Sequence, residues 1–248
     1  MDMIKALNID INKKHVISIV GAGGKTTLLY NLSEELKQFN KKILLSTTTH
    51  IYIPPKDINN DLIISKDRKA LLGYVEAIRD KGVYVIGSEI TNENKIKGID
   101  IHFADELYGV GVFDFMLIEA DGGKKKPIKA PAEWEPAVPQ STTVLIGVIG
   151  MDSLGRAAGE ETVHRLDEFC IICGCRPGDK IDTIMLAKLI RHPQGLFKNA
   201  PDNAKKIVLL NKADNSGLRE AGLKIKSMAE DENIGFVIAS LRNKMYWM

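Results

Sequence analysis

Ile17-Ser18-Ile19-Val20-Gly21-Ala22-Gly23-Gly24-Lys25-Thr26-Thr27 is the stretch whose reading decides the fold. The apolar run that enters it is continuous, as in a strand covered on both faces, and Leu28, Leu29, Leu32 and Leu36 follow at helical spacing. Strand, glycine turn and helix in that order are the context a phosphate-binding loop requires. Glycines let successive backbone N–H groups approach phosphate oxygens with no Cβ in the way, and the helix N-terminus behind them adds about half a positive charge. Lys25 is expected to neutralise the β and γ phosphates and the Thr26 hydroxyl to ligate Mg²⁺. Gly21, Ala22, Gly23, Gly24 and Thr27 complete the expected cradle. Ile19 stands where the common G-x-x-x-x-G-K-[ST] spacing puts its first glycine, so the loop is shorter than that pattern.

Working outward, strand-length apolar runs recur at Val16 to Val20, Ile43 to Leu45, Val83 to Ile86, Phe113 to Ile118, Val144 to Ile149, Ile207 to Leu210 and Phe236 to Ile238. Helical patterns fall at Lys25 to Phe39, Asp67 to Lys81, Glu160 to Cys173, Ile181 to Arg191 and Gly217 to Glu232. The alternation predicts an α/β fold, a three-layer P-loop NTPase with a mainly parallel sheet flanked by helices. The 248 residues read as a single domain, 1–248. Ser88 to Asp100 is polar and reads as a short hairpin or loop. Asp121 to Gln140 carries Pro127, Pro131, Pro136 and Pro139 and cannot be a regular helix. An insertion of that length is expected to be functional or mobile.

A formal charge of +2 is too small to imply a nucleic-acid or membrane surface. No apolar stretch approaches the roughly 20 residues needed to span a bilayer, and the first residues lack a secretory apolar core, so a cytoplasmic protein is expected. Cys170, Cys173 and Cys175 form one odd-numbered cluster, which suits reduced thiols. Three thiolates are one ligand short of a closed zinc site, and Phe169, Ile171 and Ile172 among them favour burial on a helix face.

Hard cations take carboxylate or water oxygens, and a nucleotide-bound magnesium ion commonly finds its acidic partner at a neighbouring strand end. Phe113 to Ile118 leads into Glu119 and Asp121, either of which suits the metal or an attacking water; spacing does not choose between them. Ser46-Thr47-Thr48-Thr49-His50 follows the second strand, where Thr49 is a further candidate metal ligand or the strand simply continues. Asn211-Lys212-Ala213-Asp214 is the N-K-x-D pattern of guanine recognition: an aspartate accepts from the guanine N1–H and amine, a pair of donors adenine lacks, while a lysine stem covers the ring. The same four residues also suit a polar turn capping the next helix. Asp121-Gly122-Gly123-Lys124 does not complete the D-x-x-G element of GTPases, so GTP is favoured over ATP without excluding ATP. Lys124-Lys125-Lys126 reads as a solvated run that could also meet an anion. His164 and His192, each beside a helix, read more readily as structural than as proton-transfer groups.

Two resemblances go with these residues. The loop resembles the G-T-x-G-K-T-T loop of Mur ligases and folylpolyglutamate synthetases. Across nearly its whole length the chain resembles the YqeC family of P-loop proteins. That likeness rests on Val20 to Thr27, Thr47 to Thr49, Glu119 to Gly122, Lys129 to Glu133, Glu135-Pro136, Gly150 to Asp152, His164-Arg165, His192-Pro193 with Gly195-Leu196, and Asn211 to Asp214. The family resemblance implies Mg²⁺-dependent binding and hydrolysis of GTP or ATP, coupled to maturation of the labile selenium cofactor of molybdenum hydroxylases. Lys25, Glu119 and Asp121 would be the catalytic groups. The expected partners are a nucleoside triphosphate and a molybdenum hydroxylase or other maturation proteins, with no nucleic acid and no membrane. The cysteine trio is not part of the family pattern. The alternatives are an ATP-dependent ligase like the Mur enzymes, or a nucleotide-gated chaperone with little turnover.

Overall fold

A computed structural model describes residues 2–55, 58 and 61–247. In chain order the elements begin with α1 (Met3–Ala6), β1 (His15–Gly21), α2 (Lys25–Gln38), β2 (Lys42–Thr47) and β3 (His50–Tyr52). There follow β4 (Asp61–Ile64), α3 (Arg68–Ala77), β5 (Gly82–Gly87), β6 (Glu89–Ile90), β7 (Lys95–Lys97), α4 (Ile101–Val110), β8 (Phe115–Glu119), β9 (Ile128–Lys129) and β10 (Val144–Gly150). The chain ends with β11 (Val163–His164), α5 (Leu166–Cys173), α6 (Thr183–Arg191), β12 (Lys205–Asn211), α7 (Ser216–Ala229), β13 (Ile234–Ser240) and β14 (Met245–Trp247).

Nine strands form one sheet in the order β14-β13-β12-β10-β1-β8-β2-β5-β4, parallel throughout except for the last strand, which runs antiparallel to β13. The fold is the expected three-layer α/β arrangement. Alternate residues of each strand face opposite helical layers. Ile17 and Ile19 of β1 meet Leu28, Leu29, Leu32 and Leu36 of α2, while Val16 faces the cluster containing Leu71 of α3 and Phe103 of α4. The four α2 leucines are fully buried, each contributing about 1.5–3 kcal/mol on burial.

The stretch from Ser88 to Asp100 contains the expected hairpin: β6 and β7 pair antiparallel, and β7 also pairs with β3 to make a separate three-stranded sheet. Helix α4, absent from the sequence reading, starts at Asp100, whose side chain accepts from the Phe103 N–H, and stops at Gly111 with φ of 73°. The helix expected over Glu160 to Cys173 is shorter, beginning only at Leu166. Val163 and His164 instead pair with Ile128 and Lys129, and Arg165 turns left-handed at φ 67°. Backbone pairing with the Pro-rich segment outweighs helical propensity there. The 121–140 segment is packed, with Ile128, Ala130, Pro131, Ala132 and Val138 buried.

Candidate functional site

The carboxyl ends of parallel strands are where open α/β sheets bind ligands, and five of them converge here. β1 delivers the glycine loop, β8 Glu119, β2 Thr47, β10 Gly150 and β12 Asn211. Pairing fixes these neighbours: Glu119 lies opposite Ile19 on one side and Thr47 on the other, and Gly150 lies opposite Asn211. The loop itself accepts no side chain at its turning points. Gly23 has φ of 89°, and a Cβ there would sit 2.4 Å from the Gly150 nitrogen. Gly24 offers no capping side chain to the first turn of α2, so that turn presents its backbone N–H groups outward for an anion.

Beside the loop lies a network of buried charges. The Lys25 ammonium, 4% exposed, folds back to donate to the Gly21 carbonyl at 2.7 Å, 3.0 Å from Asp121 Oδ1 and 3.8 Å from Glu119 Oε1. Burial alone would lower the Lys25 pKa, but the Asp121 and Glu119 carboxylates outweigh it and the net shift is upward. Asp121 Oδ2 accepts from the Gly21 N–H at 3.1 Å and lies 3.3 Å from Lys129 Nζ. Lys129 in turn sits 2.9 Å from Glu135 Oε1, and Arg165 Nε 3.3 Å from Glu135 Oε2. Burial pushes Glu135 up, yet hydrogen bonds from Lys129 and Arg165 prevail and hold it at about 2. The charges therefore alternate in sign from the loop lysine to Arg165, whose guanidinium lies 5.2 Å from the centre of the Trp134 ring.

Glu119 plays a different part from Asp121. Its Oε2 accepts from the Thr26 hydroxyl at 2.8 Å, and burial raises its pKa against the opposing pull of Lys25 and Thr26. Its backbone carbonyl accepts from Thr47 Oγ1 at 2.7 Å, which leaves Thr49, rather than Thr47, facing the open space. A hydroxyl and a carboxylate in contact at the foot of the glycine loop supply hard oxygen donors of the kind Mg²⁺ takes. Among the described residues no group of three or more His, Cys, Asp or Glu could hold a metal by itself, so an ion here would need further ligands from outside the chain.

That open space is a cavity of about 520 Å³, within the usual range for small-molecule sites. The loop from Ala22 to Thr27 and Glu119 form one wall, while Thr49 to Tyr52, Lys95 and Gly122 to Lys126 form the other. Local spacing gives no sign of Tyr52 or Lys95 as site residues, because the β3–β7 pairing that brings Tyr52 opposite Lys95 joins positions far apart in the chain.

On the other flank, Asn211 Nδ2 donates to the Gly23 carbonyl at 2.7 Å and its Oδ1 accepts from the Leu241 N–H at 3.1 Å. Lys212 has φ of 62° and pairs with Asp152 at 2.8 Å. Asp214 is exposed, and its Oδ1 accepts from the Ser240 hydroxyl at 2.6 Å. The N-K-x-D residues thus join the loop through Asn211, whereas Lys212 and Asp214 do not line the cavity.

The remaining candidates lie elsewhere. Cys173 is buried, donates to the Met185 carbonyl at 3.3 Å, and burial pushes its thiol up to about 12. Cys175 is raised to about 11, again chiefly by burial. His164 is held down at about 4 by burial and then by the charges of Lys129 and Arg165. His192 accepts from the Gln194 N–H at 3.1 Å on the surface. No helix among the described residues is long and apolar enough to cross a membrane.

A family model described as "YqeC protein" matches residues 17–167, the portion from β1 through the acidic strand end and the Pro-rich segment. A protein of Escherichia coli (strain K12) described as "Uncharacterized protein YqeC" is 36% identical over 210 residues, covering 84% of this chain and 80% of the relative.

Proposed function

This chain belongs to the YqeC family, and from that premise we propose that it binds a magnesium nucleoside triphosphate at the 21–26 loop and hydrolyses it. We place this activity in maturation of the selenium-containing cofactor of molybdenum hydroxylases, the role that the family resemblance implies. The observation that carries the nucleotide reading is the convergence of Lys25, Thr26, Glu119 and Asp121 on one loop bordering the cavity. A buried ammonium with its carboxylates beside it is preformed to exchange those partners for phosphate oxygens.

The two carboxylates divide the work. Glu119, in contact with Thr26, would hold Mg²⁺ with that hydroxyl, and the bound ion would neutralise charge on the β and γ phosphates. Asp121 holds Lys25 in reserve. Once Lys25 turns to the triphosphate, Asp121 keeps Lys129 as its counter-ion, so no carboxylate is left buried and unpaired. GTP is favoured over ATP because Asp214 is exposed and the Ser240 hydroxyl donates to one of its carboxylate oxygens. The arrangement suits the paired donors of guanine.

A second reading, nucleotide-gated binding of a hydroxylase partner with little turnover, is favoured by the charge chain from Lys25 to Arg165. Movement of Lys25 alters the first link of a chain whose last link lies in the segment containing Trp134. Titration with GTP and ATP, each with and without Mg²⁺ and followed by turnover measurement, tests both readings. Saturable Mg²⁺-dependent binding with GTP the tighter ligand is expected. Failure of both nucleotides to bind sinks both readings, and binding without turnover leaves the gated module.

A further inference from the structure

Resting on the nucleotide reading, we propose that the cavity wall formed by Lys124, Lys125 and Tyr52 is a second anion site, beside the γ-phosphate position, for a small oxyanion bearing carboxylate or phosphate. The charge balance of the cavity carries the argument. Five lysines line it, Lys25, Lys95, Lys124, Lys125 and Lys126, against a single carboxylate, Glu119. Three of the five already have carboxylate partners: Lys25 has Asp121 and Glu119, Lys95 has Glu93, and Lys126 has Glu160. Lys124 and Lys125 have no carboxylate within ion-pair distance among the described residues, and both are exposed.

The backbone holds these two lysines at the cavity in an unfavoured conformation. Lys124 and Lys125 are consecutive non-glycine residues in the left-handed region, at φ of 46° and 59°, a conformation that lysine seldom adopts. Gly123 before them lies against the loop lysine; a Cβ there would fall 3.0 Å from Lys25 Nζ. The lysine pair therefore continues directly from the phosphate position. A purine is a poor occupant of this wall, because the Tyr52 ring already has the ammonium groups of Lys95 and Lys125 at 5.3 Å and 4.9 Å from its centre. The base-recognition candidates Lys212 and Asp214 are outside the cavity. With the triphosphate matched by loop amides, Lys25 and Mg²⁺, the two lysines are surplus to it and suit a separate anion.

The test is calorimetric titration of orthophosphate and, separately, malonate into protein saturated with Mg²⁺ and a non-hydrolysable GTP analogue. The same titrations are made on Lys124→Gln/Lys125→Gln protein, and on unliganded Lys25→Ala protein. Saturable binding of at least one anion is expected, weakened about tenfold or more in the double variant as two charge-assisted contacts are lost, with analogue affinity changed less than threefold. The arm that binds identifies the phosphate or carboxylate class. Anion binding retained in Lys25→Ala protein and lost when Lys124→Gln/Lys125→Gln is added to it supports a site separate from the loop whether or not the nucleotide reading stands. Absence of binding by both anions overturns the inference, as does a parallel loss of analogue affinity in the double variant. Failure of the analogue itself to bind wild-type protein counts against the nucleotide reading alone.

Discussion

The glycine loop is held differently on its two flanks. Toward β8, ion pairs brace it: Lys25 to Asp121 and Glu119, then Lys129 and Glu135. Toward β12, the brace is an uncharged amide, with Asn211 donating to Gly23 and accepting from Leu241. Ion pairs shielded from water must rearrange when a polyanion arrives, whereas the Asn211 contacts can persist. The difference teaches a separation of duties under the proposed function: the charged flank would respond to phosphate, and the neutral flank keeps the loop in register with the strand that leads to Asp214.

The largest expected effect breaks the charged flank at its centre. Lys25→Ala should reduce nucleotide affinity by about a thousandfold, ~4 kcal/mol, since two charge-assisted contacts to phosphate are lost; unchanged affinity by calorimetry would leave the flank with no role in binding. Next, Asp121→Asn should destabilise the fold by ~3 kcal/mol in denaturant unfolding, because Lys129 and Lys25 lose a shared buried counter-ion. Glu119→Gln should instead spare nucleotide binding without metal and remove the Mg²⁺ enhancement. If these two variants behave alike, the proposed division between the carboxylates is wrong.

A smaller change probes the neutral flank. Asp214→Ala should weaken GTP by about tenfold to a hundredfold while leaving ATP within about threefold, as a base-specific hydrogen-bond pair is lost. A GTP-to-ATP ratio that stays put would reassign N-K-x-D to a helix-capping turn. The smallest effect concerns His164, which sits near the far end of the charge chain. Its folded pKa of about 4 lies below its ordinary 6.5, so the unfolded chain takes up the proton first as pH falls. Its stabilising contribution is complete above about pH 6.5 and drains away toward pH 4. His164→Gln should flatten the dependence of Tm on pH across that window, and an unaltered slope would show that another group sets it.

Much of the fold was legible because the central strands are covered on both faces. Their apolar runs are continuous, and the glycine loop marks where the first one ends. Helix α4 is bracketed by Asp100 and Gly111, yet its signal is weak in the sequence because it directly follows a polar hairpin. The helical pattern over Glu160 to Arg165 misleads because tertiary pairing of Val163 and His164 with Ile128 and Lys129 makes that part extended. At the candidate site, the loop residues, Glu119, Asp121 and N-K-x-D were visible as local motifs. The different partners of the two carboxylates were not, since Thr26 and Lys129 reach them from separate segments. Tyr52 and Lys95 were invisible for the same reason: a pairing across the small sheet has no signature in local spacing.

Trp134 is 70% exposed under the Arg165 guanidinium, and this placement equips the protein with its own optical gauge. Indole emission responds to a nearby cation, so displacement of Arg165 would alter brightness or colour without any attached dye. The second tryptophan, Trp247, lies beneath Arg219 on the edge strand β14. Replacing it with phenylalanine would leave one emitter to follow events at the loop in real time.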